Sequence, residues 1–294
     1  MRFIVFSMFA SVNVLAQEVS TVVPDPSEAI VYVCPDDQSA RSTIPASCPD
    51  SATAMIPAIP DPVEYHLELA IEPQPLRPGQ ASLLTFRISD PWSMRAATRF
   101  YVVHEKLLHA FLVSEDLEVF MHEHPVWRDD AFYLDVAFPR PGMYRVLADF
   151  YPEAATPQLL EGTVFVAGSA SATASIGQDY TPKASENITV EFRTVPELPI
   201  AGAPTQLVFH LTPGEGLEEY LGAWAHAFVA SDDLIDLMHV HPFLADGSSQ
   251  VQFPLVFPRP RPYRIWAQFQ RDGVVNTVQF DVTAVPPNAP ESLD

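Results

Sequence analysis

Ala131-Phe132-Tyr133-Leu134-Asp135-Val136-Ala137-Phe138 and, after the break Pro139-Arg140-Pro141-Gly142, Met143-Tyr144-Arg145-Val146-Leu147-Ala148-Asp149-Phe150 are the runs that decide the fold class. In both, apolar residues alternate with polar ones or form short blocks bounded by Pro, Gly, Asp and Ser. A period of two puts successive side chains on opposite faces of a strand; a helix would need a period near 3.6. The 30 prolines in 294 residues point the same way, since an interior proline deletes a helical hydrogen bond and clashes with the preceding turn. Short strands at this spacing predict an all-β chain of antiparallel β-sandwich domains. Immunoglobulin-like and cupredoxin-like topologies are both open at this level.

Working outward, the chain is an internal duplication, the feature to seek before any other. His109-Ala110-Phe111-Leu112-Val113-Ser114-Glu115-Asp116-Leu117 returns as His226-Ala227-Phe228-Val229-Ala230-Ser231-Asp232-Asp233-Leu234. Met121-His122-Glu123-His124-Pro125 returns as Met238-His239-Val240-His241-Pro242, Phe138-Pro139-Arg140-Pro141 as Phe257-Pro258-Arg259-Pro260, and Tyr144-Arg145 as Tyr263-Arg264. Two tandem sandwich domains are expected, at residues 61–168 and 183–285. The small, polar stretch at 169–182 reads as a flexible linker and 286–294, rich in proline, as a disordered tail.

Residues 1–16 have the shape of a secretory signal: Arg2, an apolar run from Phe3 to Leu15, and Ala16 before Gln17. No other run is apolar over the roughly 18 residues a spanning helix needs, so the mature chain is expected to have no membrane span. Export to a periplasmic or secreted location meets an oxidising compartment, which favours a disulfide between Cys34 and Cys48 in the segment 17–60. With 16 Lys and Arg against 37 Asp and Glu, the net charge of −21 repels phosphate backbones. Nucleic acid is thereby excluded as a partner.

Six of the 9 histidines fall at matched places: His109, His122 and His124 in the first repeat, His226, His239 and His241 in the second. Residues two apart on a strand share a face, so each His-x-His pair is a ready chelate while Met121 and Met238 face the core. A hairpin centred on Glu115-Asp116 places His109 directly opposite His122, with His124 on the diagonal. The equivalent turn at Asp232-Asp233 sets His226 opposite His239. Three imidazoles per repeat then form two separate sites, one in each domain. Imidazole suits copper and zinc alike; the affinity order of divalent ions favours copper, with zinc the alternative. His104, which the second repeat replaces by Leu221, offers an extra ligand to the first site alone, although its odd offset from His109 points it away. Imidazole ligates when neutral, so binding is expected to weaken below its ordinary pKa of about 6.5.

Two resemblances accompany these readings. Tyr32-Val33-Cys34-Pro35, Pro45-Ala46-Ser47-Cys48-Pro49 and Met55-Ile56-Pro57 resemble the short heavy-metal-binding module near the N-terminus of exported bacterial metal-handling proteins, with Asp36-Asp37 and Asp50-Ser51 in place of its ligands. The run from His104 to Pro125, closed by Pro141-Gly142-Met143-Tyr144-Arg145, resembles exported bacterial β-sandwich proteins of heavy-metal and copper handling. The second repeat departs from it where Arg261-Pro262 replaces Gly142-Met143 and at Gln268 (for Asp149), which predicts an altered second site. The resemblance implies an exported β-sandwich fold; with the histidine sites, the first expectation is a non-catalytic carrier or buffer of copper whose partners are the ion and a metal-delivery or efflux protein. A two-copper monooxygenase-like oxidoreductase and a structural or adhesive module without metal are the alternatives. No Ser-His-Asp grouping, phosphate loop or nucleotide fingerprint is present.

Overall fold

The computed structural model describes residues 31–58, 63–169, 176–242 and 249–287. The signal sequence expected at 1–16 lies outside them, as does the tail from 288 onward. All regular structure among the described residues is β-strand, and no helix there is long and apolar enough to cross a membrane.

A small sheet comes first, built from β1 (Val31–Cys34), β2 (Asp37–Ser42) and β3 (Ile56–Ala58) in the order β2-β1-β3. Cys34 closes a disulfide to Cys48, the pairing expected from the sequence.

The first repeat runs β4 (His66–Glu72), β5 (Ala81–Ser89), β6 (Phe100–Tyr101), β7 (Leu108–Ser114), β8 (Phe120–Glu123), β9 (Val126–Arg128), β10 (Ala131–Ala137), β11 (Gly142–Pro152) and β12 (Gln158–Val166). These form one sheet β4-β5-β10-β9 and a second β12-β11-β7-β8, with β6 also on β11. The second repeat follows with β13 (Lys183–Ala184), β14 (Thr189–Val195), β15 (Pro204–Thr212), β16 (Leu217–Glu218), β17 (His226–Ser231), β18 (Leu237–Val240), β19 (Gln250–Val256), β20 (Pro262–Arg271) and β21 (Val274–Thr283). Its sheets are β13-β14-β15-β19 and β16-β20-β17-β18, with β21 also on β20.

In each repeat the first two long strands share a sheet with the later β10 or β19, while β7, β11 and β12, or β17, β20 and β21, make the other. That partition is immunoglobulin-like, which resolves the topology that alternation left open. A tyrosine corner marks both copies: Tyr144 Oη donates to the Arg140 carbonyl at 3.0 Å, and Tyr263 Oη to that of Arg259 at 2.9 Å. Both rings are fully buried at the head of their strand, which explains why Pro-Arg-Pro and Tyr recur together in the sequence.

Each sandwich encloses its own core. Leu84, Phe86, Ala110, Leu112, Phe132, Val146 and Phe150 fill the first; Leu207, Phe209, Ala227, Val229, Phe253, Ile265 and Phe269 fill the second. Met121 packs against the first and Met238 against the second, as strand alternation requires. A third buried cluster draws on both repeats: Phe111, Val113, Leu117 and Leu147 meet Phe228, Ala230, Leu234, Leu237 and Trp266. Ile176 joins them, and the Asp179 backbone pairs with Asp281. Residues 176–182 of the expected linker are therefore docked, because Ile176 and Tyr180 give that end of it apolar anchors.

Candidate metal centre

Strand β7 is buried along its whole length, as is β17. Leu108, Ala110 and Leu112 point into the first sandwich, so His109, Phe111 and Val113 point out of it. They are covered by the same face of the other repeat, where His226, Phe228 and Ala230 alternate with Ala227 and Val229. The sheets carrying β7 and β17 thus pack on each other. Phe111 and Phe228 stack at the centre, ring centroids 4.8 Å apart. The histidines occupy one end of this interface. At the other end, Arg264 bonds the Leu117 carbonyl and the carboxylates of Glu118 and Asp281 at 2.7–2.9 Å.

The hairpin register differs from the expected one by two residues. Phe111 lies opposite His122 and Phe228 opposite His239, so His109 and His226 come opposite His124 and His241, beyond the last paired residues. The turn is the cause. Asp116 accepts from Ser114 Oγ at 2.6 Å and from the Glu118 amide at 3.1 Å, and Leu117 takes φ 58°, which moves the bend one residue along the chain. Asp233 and Leu234 repeat the device. A two-residue slip leaves every side chain on its expected face. His109, His122 and His124 therefore still converge, as do His226, His239 and His241; within each triad, one nitrogen from every ring lies within 4.8 Å of the others.

Ring orientation is set by fixed acceptors. His109 Nε2 donates to the Val103 carbonyl at 3.0 Å, and His226 Nε2 to that of Tyr220 at 2.9 Å. His239 Nδ1 donates to Asp149 Oδ2 at 2.6 Å and His122 Nδ1 to Gln268 Oε1 at 2.7 Å. A carbonyl or carboxylate only accepts, so in each neutral ring the second nitrogen is left as a bare lone pair. His226 Nδ1 and the Nε2 atoms of His124, His239 and His241 are buried without a hydrogen-bond partner. His109 Nδ1 and His122 Nε2 face each other at 3.0 Å, two acceptors converging on one point. Nitrogens that surround an ion at roughly 2.0–2.1 Å are spaced in this way.

The two triads adjoin each other. The His109 ring centroid is 6.2 Å from His226 and 5.9 Å from His239, and His122 is 5.7 Å from His226. Within a triad the separations run from 4.4 to 6.1 Å, so the two triads, expected as a pair of separate sites, lie side by side across the interface. The support crosses over as well. Asp149 lies beside His109 on its own sheet but bonds His239, while Gln268 lies beside His226 but bonds His122. The Gln268 departure, expected to alter the second site, stands behind the first triad. His104 also moves: it belongs to a tight turn with Glu105, at φ 48° and 64°, rather than to a strand. Its ring meets those of His241 and His226 at 4.3 and 5.1 Å, against 6.3 Å for His109. His66 and His210, with no counterpart in the repeat, are exposed.

Burial lowers the pKa of every imidazole in the cluster: His124 to about 4, His122, His226 and His241 to about 2, His239 well below its usual value, and His104 and His109 in the same direction. Burial has the opposite effect on Asp149, raised to about 6. At neutral pH the rings are uncharged and ready to ligate. Sequence reasoning did not find the crossed support or the domain docking. The available signal was β7 itself, where Leu108-His109-Ala110-Phe111-Leu112-Val113 shows no polar face, the mark of a strand covered on both sides.

Fold and cluster define a tandem immunoglobulin-like β-sandwich protein with a histidine centre between its domains. The chain belongs to the family described as Domain of unknown function (DUF8832), matched at residues 61–166 and again at 183–286. No curated protein matches. Among solved structures, it is similar to the Escherichia coli adhesin FdeC at 13% identity, covering 80% of this chain and 70% of that one with a TM-score of 0.24. A two-domain fibronectin type III segment of chicken tenascin is similar at 12% identity, 74% and 98% coverage and a TM-score of 0.22.

Proposed function

We propose that this is an exported protein that binds a transition metal, copper in first place and zinc in second, at the histidine centre between its two domains. The observation that carries the reading is the set of buried imidazole nitrogens with no hydrogen-bond partner in two matched triads. Leaving a buried polar atom unsatisfied costs on the order of 1–3 kcal/mol, and several sharing one place are relieved together by a cation. The carbonyls and carboxylate behind the rings fix their orientation and tautomer, as the outer hydrogen-bond partners of metal-binding histidines do. Export is supported by the Cys34–Cys48 disulfide. The resemblance to heavy-metal-handling proteins fits a carrier or buffer that passes its ion to a delivery or efflux protein.

A structural or adhesive module without metal is the competing reading. It is favoured by the apolar and Arg264 contacts of the interface, which join the domains without an ion. Metal content by mass spectrometry decides between them, on untagged protein purified from its own compartment after copper and zinc are both supplied. Bound copper or zinc, lost when His122, His124, His239 and His241 are all replaced by Ala, is the expected result. Protein that carries neither metal would overturn the reading.

A further inference from the structure

The duplication supplies both halves of the centre with the same three histidines but with different surroundings. We propose that the centre takes two ions of unequal affinity, the tighter one held by His226, His239 and His241. The first repeat lends that half His104 as a fourth imidazole and Asp149 as the carboxylate behind His239. The proposal rests on the reading of the histidines as ligands.

His104 makes the difference in donor number. It lies against His241 and His226, with ring centroids 4.3 and 5.1 Å away. The left-handed turn that holds it, φ 48° at His104, is repeated at Leu221 with φ 53°, so the two halves differ here in the side chain and not in the backbone. The matched position beside the first triad is Leu221, which has no ligand atom. One half therefore has a fourth imidazole in contact with two of its three rings, just outside the group whose nitrogens lie within 4.8 Å of one another. The other offers three, the number that leaves a position open to exchange.

Asp149 makes the difference in charge. A carboxylate bonded to the far nitrogen of a ligating histidine raises the basicity of the ring and offsets part of the charge on the ion. The first triad has the neutral amide of Gln268 in that role, at nearly the same distance. Both differences favour the same half. The second ion would then be the exchangeable one, which suits transfer to a partner.

The test is a titration of the metal-free full chain with Zn(II) alone and Cu(II) alone, against a chelator of known affinity. Two ions per chain in two steps at least tenfold apart are expected. Asp149→Asn should weaken the first step about 10–100-fold and leave the second in place. His104→Leu should also weaken the first step and should change the Cu(II) electron paramagnetic resonance spectrum of the one-ion form. Gln268→Glu should strengthen the second step, a gain that impaired folding cannot imitate. Two equal steps, a single ion per chain, or Asp149→Asn acting on the second step would overturn the proposal while leaving the histidines as ligands. No binding by the unmodified chain would overturn the metal reading and this proposal with it.

Discussion

The first repeat has His104, Arg145 and Asp149 where the second has Leu221, Arg264 and Gln268, and the histidines between them do not change. If each domain were a self-contained unit, these differences would act on the domain that carries them. They do not. Asp149 orients a histidine of the second repeat, Gln268 one of the first, and Arg264 reaches back to Leu117 and Glu118. A substitution in one domain is felt at its neighbour's half of the centre, and aligning the repeats alone assigns it to the wrong half.

The matched arginines allow the sharpest test. Arg264 is buried against Asp281, itself nearly buried, and removing it leaves that carboxylate uncompensated. Arg264→Ala is expected to cost about 3–5 kcal/mol in chemical denaturation. Arg145 pairs with Glu161 in contact with solvent, and Arg145→Ala is expected to cost about 0–1 kcal/mol. Equal effects would show that the Arg264 contacts across the interface do not stabilise the fold.

Acidification is expected to act less strongly, and on both halves. The clustered histidines have folded pKa values below the unfolded value of about 6.5, so the unfolded chain binds more protons and stability falls as pH drops below that point. Asp149, raised to about 6, has the opposite sign: its contribution is full below its unfolded pKa and is lost as pH rises through about 6. One such group does not reverse the trend set by the histidines. The melting temperature of chelator-treated protein should fall between pH 6.5 and 4; a flat or rising profile would contradict the burial of the rings.

The smallest effect is expected from the methionines. Met121→Leu and Met238→Leu conserve volume in the two cores and should each cost less than about 1.5 kcal/mol, with metal affinity unchanged by titration. A loss of Cu(I) affinity would place a thioether among the ligands.

Much of this was legible in the sequence. Alternation around Phe132 and Tyr144 specified the sandwiches, the duplication specified two of them, and the His-x-His spacing put each triad on one face. The register was misjudged because Asp116 and Leu117 set the bend through a side-chain hydrogen bond and a left-handed residue, which periodicity does not record. The docking of the domains was missed for another reason. His109-x-Phe111-x-Val113 is a second apolar face carrying one histidine, and periodicity within a repeat shows that such a face is covered without naming the surface that covers it.

That covering surface is the repeat's own counterpart, and the contacts are reciprocal: position 149 meets 239 as 268 meets 122. Two identical domains related by a twofold axis meet in this way, through an isologous interface. In a homodimer every residue appears on both sides of the axis, so one gene cannot change one site and spare the other. Joined in a single chain, the halves have diverged, a carboxylate and a fourth imidazole on one side, an amide and a leucine on the other. Fusion allows a symmetric assembly to become chemically directional without altering its fold.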